Sequence, residues 1–295
     1  MPSRPAVNPP PSAPVDPPRA AVVEAVTRAL AEDLLPLGDL TAALIPTGTS
    51  VKASFRAREG GVVAGRACVI ETYAQLDADI EIDWRLPDGS RLERGAVIAV
   101  VSGPLAPVLS GERTALNFLR HLSGVATLTR RFVDLTAVAS DGYTRILDTR
   151  KTTPGLRALE KAAVRAGGGA NHRANLSDAV MVKDNHLAGL SIADAVAAAR
   201  DIWPGRPVHV ECDGLDQVED VLVTAADRVM LDNFTPAQVV EAMGLVAGRL
   251  EVEVTGGITL DSVAAYASAR PDFISVGALT HSAGVVDLGL DLDAA

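Results

Sequence analysis

A chain of 295 residues, 48% of them apolar, carries enough buried surface for a large globular core. Its formal net charge of −10 leaves no general cationic surface for nucleic acid or for an anionic membrane, although a local cationic cluster could still hold a small anion. Two widely separated cysteines, Cys68 and Cys212, exclude a disulfide framework and a CxxC-type metal site, and suit a reducing cytoplasm.

Residues 1–18 contain eight prolines and almost nothing to bury. They lack the apolar stretch of a signal peptide and are expected to form an extended, disordered tail. No apolar run approaches the ~20 residues that span a bilayer. Val22, Val23, Val26 and Leu30 have helical spacing, which predicts a helix over 20–35 that stops before Pro36 and Gly38. From Val51 to about Leu109, the stretches SVKASFRARE, GGVVAG, IEIDWRLPDGS and AVIAVVSG predict short strands in a compact β-rich layer. Asp88-Gly89 is its clearest hairpin signal. Residues 111–138 then predict one or two long helices with Leu116, Leu119, Leu122 and Val125 as the buried stripe.

Beyond Tyr143 short apolar segments alternate with amphipathic ones. TRILDTR, DAVMVKD, PVHVECD, DRVMLDN, RLEVEVTGG and PDFISVGA read as six strands. Near-continuous apolar strands separated by helices predict parallel β-structure covered by helices. Asp232, Val254 and Val276 recur at an interval of about 22 residues, the spacing of minimal βα units. The expected fold is therefore α/β: an incomplete parallel β/α barrel of about six strands with an N-terminal α/β layer. The expected domains are that layer at 19–118 and the barrel at 119–283, with 284–295 rejoining the first layer.

The strand ends carry the chemistry, as in barrels generally. In order they are Asp148 and Arg150, Lys183, Glu211, Asp232, Thr255 and Gly277. Arg150, Lys151, His172, Arg173 and Lys183, with Arg113 upstream, form a cationic group suited to a small polyanion. The glycines at 167–169 free the backbone beside His172 and Arg173. Glu211 and Asp232 could bind magnesium, order sugar hydroxyls or stabilise a cationic transition state, or else pair with Arg150 or Lys183. Asp148 could orient Arg150 or cap the following turn. Thr255, Gly256, Gly257, Gly277 and Ala278 end the last two strands with exposed backbone N–H groups, a common phosphate cradle. His121, His186 and His209 read as structural. Zinc spacing, a Ser-His-Asp order, GxGxxG and a P-loop are all absent.

DTRKTTPGLRALEKAAVRAGGGANHR, MVKDNH, VECD, MLDNF, EVTGGI and VGALTHS resemble, in order, the motifs of the quinolinate phosphoribosyltransferase family. EDLLPLGDLT and GERTALNFLRHLSG resemble its N-terminal domain, so the resemblance runs over about 20–292. It implies transfer of a phosphoribosyl group from phosphoribosyl pyrophosphate to quinolinate, with magnesium, giving nicotinate mononucleotide, pyrophosphate and carbon dioxide. It also implies roles. Arg150, His172, Arg173 and Lys183 would hold the quinolinate carboxylates, with Arg113 supplied by the neighbouring subunit of a homodimer. Lys151, Glu211 and Asp232 would surround the ribose, pyrophosphate and magnesium. Thr255, Gly256, Gly257, Gly277 and Ala278 would hold the 5′-phosphate. Thr255 stands where the family commonly has Ser, and Asn175 where Gly is common. A related transferase for another aromatic acid would need fewer cations. A non-catalytic barrel binding a phosphorylated metabolite would not need Lys151, Glu211 and Asp232 together.

Overall fold

The computed structural model describes residues 16–187 and 189–293, so the expected tail lies outside the described residues except for 16–18. The strands in chain order are β1 (Ser50–Ala57), β2 (Gly61–Val62), β3 (Glu81–Trp84), β4 (Arg91–Leu92), β5 (Val97–Pro104), β6 (Arg145–Leu147), β7 (Val180–Val182), β8 (Val208–Cys212), β9 (Arg228–Asp232), β10 (Glu251–Thr255), β11 (Phe273–Ser275) and β12 (Leu288–Leu292). They belong to two compact units. One is made of Arg131–Lys151 and Gly169–Ala278; the other holds the described residues up to Arg130, Thr152–Gly168, and those from Leu279.

The first unit is built on a six-stranded sheet in the order β6-β11-β10-β9-β8-β7, all parallel. Every sequence neighbour from β7 to β11 is paired, and β11 returns to β6. Among the described residues β6 and β7 are the neighbours in that circle that share no ladder, as an incomplete barrel requires. Each of the six predicted strands is present. Alternate residues explain the packing: Val208, Val210, Cys212, Val229, Leu231, Val252 and Val254 are buried at 0–1% exposure. The intervening residues of β8–β10 point to the opposite face. Helices Ile192–Ile202, Leu215–Val221, Pro236–Val246 and Val263–Ala267 fall where amphipathic spacing put them. Two begin on side-chain caps. Ser191 accepts from the Asp194 N–H, and Thr235 and Gln238 cap each other reciprocally ahead of Pro236.

The second unit has an antiparallel sheet in the order β12-β1-β5-β3. β12 pairs with β1 from Ala53↔Leu292 to Ala57↔Leu288. Phe55, Tyr73, Ile98, Val101 and Leu119 are central to its core. This layer is less purely β than its glycines suggest, because Arg66–Leu76 is a helix burying Cys68, Val69, Thr72 and Tyr73. Asp88-Gly89 does form a turn, but it joins no hairpin: β3 pairs with β5 and β4 with β2. Asp88 instead accepts from the N–H groups of Gly65 and Arg66 and so caps that helix.

The predicted long helix is a single one, Leu105–Ser140, and it begins ahead of Gly111. Pro107 is tolerated because the N–H groups of a first turn have no intrahelical partner. Gly124 is required by close approach: a Cβ there would lie 2.9 Å from the carbonyl carbon of Gly284. The division of the chain also differs from the expected one at 118/119. Residues up to Arg130 belong to the second unit, as does helix Arg157–Ala166, which had read as a barrel helix. That helix packs on Arg19–Leu34, and its fully buried Glu160 bonds His121 Nε2 at 2.9 Å and the Thr153 N–H at 3.0 Å.

Candidate functional site

A cleft of about 400 Å³ opens at the C-terminal ends of the parallel strands. Thr149, Arg150 and Lys151 reach it from the end of β6, and His172 and Arg173 from the segment before β7. Met181 and Lys183 come from β7, Glu211 from β8, Met230 and Asp232 from β9, Glu253 and Thr255 from β10, and Ser275 from β11. Eight of the expected site residues therefore share one cleft. Gly256, Gly257, Gly277 and Ala278 follow the same strand ends but are not in its lining. His186 is exposed and also outside it. Arg113 belongs to the second unit, exposed on helix Leu105–Ser140, and is not in the cleft's lining.

Register explains the charge arrangement. Val182 pairs with Val210, which brings Lys183 beside Glu211, and the two form an ion pair. Asp232 pairs with Thr255, and the turn beyond them is tightly fixed. Asn233 sits at φ 58, donates its N–H to the Thr255 carbonyl at 3.0 Å and its side-chain amide to Asp232 at 2.9 Å. Gly256 has φ +89, and a Cβ there would stand 2.7 Å from the Asn233 backbone nitrogen, so only glycine fits. The Arg173 guanidinium donates to the Ala179 carbonyl at 2.9 Å and contacts Met181 Sδ at 3.3 Å. Burial, then the charge of Arg150, lowers its pKa from the usual arginine value, with Asp178 and Glu211 opposing. Asp148 is wholly buried and accepts from Asn171 Nδ2 at 2.6 Å and the His172 N–H at 2.8 Å, so it fixes the segment that delivers His172 and Arg173.

Beneath these groups lies a polar floor that sequence reasoning missed. The fully buried Glu253 accepts from Arg228 at 2.7 Å and from Ser275, and lies 3.3 Å from His172 Nε2. Burial pushes its carboxyl up, but His172, Arg228 and Ser275 together outweigh burial and hold it well below the usual carboxylate range. Arg228 also pairs with Glu251 at 2.8 Å and lies over the Phe273 ring at 4.0 Å. A signal was available. His209-x-Glu211 and Glu251-x-Glu253-x-Thr255 place polar residues at period two, and Arg228 and Asp232 fall on the same alternation about Met230, hence on one face of the sheet.

His209 packs edge-on to His172 with ring centroids 5.5 Å apart. Burial first, and then the charge of Arg228, depresses its pKa to about 4. The unfolded chain takes up this proton near pH 6.5 and the folded one only near 4, so stability present above pH 6.5 is lost as pH falls between these values. The expected loss from this group between pH 7 and pH 5 is about 2 kcal/mol. Urea unfolding at the two pH values checks this: His209→Asn should show a shallower pH dependence than wild type, and an equal slope would assign the loss to other groups.

Among known proteins, the model of the "Quinolinate phosphoribosyl transferase, C-terminal domain" matches residues 125–291, and that of the N-terminal domain residues 39–123. A carboxylating nicotinate-nucleotide pyrophosphorylase of Mycobacterium leprae is 41% identical over 282 residues, 92% of this chain and 97% of that protein. The chloroplastic protein of the same name from Arabidopsis thaliana is 37% identical over 286 residues, covering 90% of this chain and 81% of the relative. The structure of the nicotinate-nucleotide pyrophosphorylase from Francisella tularensis superposes with a TM-score of 0.89 at 38% identity, over 94% of this chain and 98% of that one. Sequence, two-domain composition and topology agree: the chain belongs to the quinolinate phosphoribosyltransferase family.

Proposed function

We propose that this cleft transfers the phosphoribosyl group of phosphoribosyl pyrophosphate to quinolinate with loss of carbon dioxide, forming nicotinate mononucleotide for NAD biosynthesis. The observation that supports it most is the sharing of one small cleft by Arg150, Lys151, Arg173 and Lys183 with Glu211 and Asp232, cations and carboxylates arriving from different strands. Its volume suits a small metabolite. The quinolinate nitrogen attacks C1 of the ribose, and the bond to pyrophosphate breaks with its electron pair leaving on the pyrophosphate oxygen. The C2–carboxylate bond then breaks, carbon dioxide leaves, and the pair remaining at C2, beside the ring nitrogen cation, takes a proton from solvent.

In this reading Arg150, His172, Arg173 and Lys183 hold the two carboxylates, and Arg forks suit that geometry. Glu211 and Asp232 face the positive charge that grows at C1. Lys151 meets the leaving pyrophosphate, while Thr255 and the backbone of Gly256, Gly257, Gly277 and Ala278 take the 5′-phosphate. The described residues contain no cage of three His, Cys, Asp or Glu side chains. Glu211 and Asp232 fit magnesium of the kind that keeps waters and binds one or two carboxylates plus substrate phosphate, where it would neutralise pyrophosphate charge. We place the enzyme in the cytoplasm, where the buried thiols Cys68 and Cys212, both pushed up to about 12 by burial, would stay reduced. Cell fractionation tests this.

The assay is protein with magnesium, phosphoribosyl pyrophosphate and either quinolinate or nicotinate. Quinolinate should yield nicotinate mononucleotide and one carbon dioxide per turnover, and nicotinate none; comparable turnover of both would remove the dicarboxylate pocket. The proposed homodimer, with Arg113 entering the partner's site, has its own test. Mixed Arg113→Ala and Lys183→Ala proteins should recover up to about a quarter of wild-type activity once subunits exchange, since half the dimers are mixed and half their sites intact. No recovery despite demonstrated exchange would place Arg113 in its own subunit's chemistry.

A further inference from the structure

We propose that the N-terminal mouth of the parallel barrel, at the opposite end from the cleft, binds a small monocarboxylate, with Arg206 as its cation and His209 as its hydrogen-bond partner. This goes beyond the transfer reaction and does not rest on it.

A cavity of about 510 Å³ lies at the N-terminal ends of β8, β9 and β10, room enough for a small metabolite. Barrels ordinarily keep this end for packing. Most of its charged groups do close on one another. Asp227 accepts from the Val208 N–H at 2.6 Å and pairs with Arg200 at 2.7 Å. Glu251 accepts from Arg228 Nε at 3.0 Å and Nη2 at 2.8 Å, and Arg228 Nη1 donates to Glu253. Arg200 also donates to the carbonyls of Ala225 at 2.9 Å and Arg206 at 3.0 Å, which with Pro204 and Pro207 stiffens the rim.

Two lining groups remain. The Arg206 guanidinium is exposed and makes no hydrogen bond or ion pair among the described residues. Asp178 feels its charge from outside the lining but already accepts from the N–H groups of Ala174 and Asn175. His209 is 7% exposed, and its Nδ1 is buried without a hydrogen-bond partner. A buried polar atom left unpaired is costly. A neutral imidazole always carries one N–H donor, and a carboxylate has two oxygens to accept from it and from a guanidinium. Charge selects the class. With Asp227 and Glu251 each paired, Arg206 is the one cation in surplus in the lining, and a monoanion cancels it. A phosphate dianion would leave negative charge uncompensated beside those two carboxylates.

Benzoate is the probe, and the 15N resonances of the His209 ring, identified by their loss in His209→Asn, are the readout. Benzoate should shift them saturably. Arg206→Gln should weaken its binding about tenfold or more, as when a hydrogen bond to a charged group is lost. The variant removes no packing contact that holds the fold, since the side chain is exposed. The His172 ring lies 5.5 Å from that of His209, so benzoate in the upper cleft would also be sensed. Lys183→Ala, which alters that cleft, should therefore leave the benzoate affinity read at His209 unchanged. Inorganic phosphate should bind at least about tenfold more weakly than benzoate. No saturable shift, or a shift that Arg206→Gln leaves intact, would overturn the proposal. So would a response lost in Lys183→Ala, which would put the probe in the upper cleft, or phosphate binding as tight as that of benzoate.

Discussion

Changing Asp232 to asparagine should lower kcat by about 10²–10³ while leaving the KM for quinolinate nearly unchanged. Asp232 ends β9 next to Thr255, half-buried, and its oxygen accepts from the Asn233 amide. The substitution keeps size and removes one charge. Substitution at an anomeric carbon passes through an oxocarbenium-like state, so a carboxylate aimed there acts in the transition state more than in the bound substrate. Loss of such a group appears in kcat and not in ground-state affinity. Glu211→Gln is a less clean experiment, since it also releases Lys183 from its ion pair. Steady-state kinetics with both substrates varied check the expectation. A near-normal kcat would return Asp232 to a purely structural role as the partner of Asn233.

Arg228→Met should destabilise the barrel by about 3–5 kcal/mol. The substitution keeps apolar bulk over Phe273 but leaves Glu253 buried without its cation. The effect should depend on pH in a definite direction. In wild type the Glu253 carboxyl is held below its ordinary range, so its contribution is present above that range and lost as pH falls through it toward about 2. In the variant one of the groups that offset burial is gone, so the carboxyl shifts upward and the deficit should shrink as pH falls from 7 through its raised range. Urea unfolding of both proteins across that interval provides the measurement. A deficit independent of pH would mean that packing, and not the charge of Glu253, is what Arg228 supports.

The parts of this molecule that could be read from sequence are those where periodicity and chemistry point the same way. The six parallel strands, the helices between them and the stripe on Leu105–Ser140 each repeat one spacing long enough to exceed chance. Glu211, Asp232 and Lys183 stand out because charge interrupts an apolar run. Helix Arg66–Leu76 was hidden because it is short and follows Gly60, Gly61 and Gly65, so its own period is swamped by turn signals. Helix Arg157–Ala166 is legible as a helix, but its packing partner Arg19–Leu34 is not. Its amphipathic face says only that it packs, and Glu160 meeting His121 is a contact between residues 39 positions apart. Glu253 was passed over because a valine-rich strand reads as core, and the face it shares with Glu251 and Thr255 matters only once the strand is curled into a barrel.

β12 forms the edge of the antiparallel sheet against β1, and Ser54 and Asp293, joined by a hydrogen bond at 3.1 Å, are 239 positions apart. During synthesis, therefore, β1 emerges from the ribosome long before its outer neighbour exists. Until residues 288–292 arrive, Phe55 and the alanines beside it present an unpaired apolar strand edge to every nascent chain nearby. The cell must either protect that edge or complete the chain faster than two such edges meet.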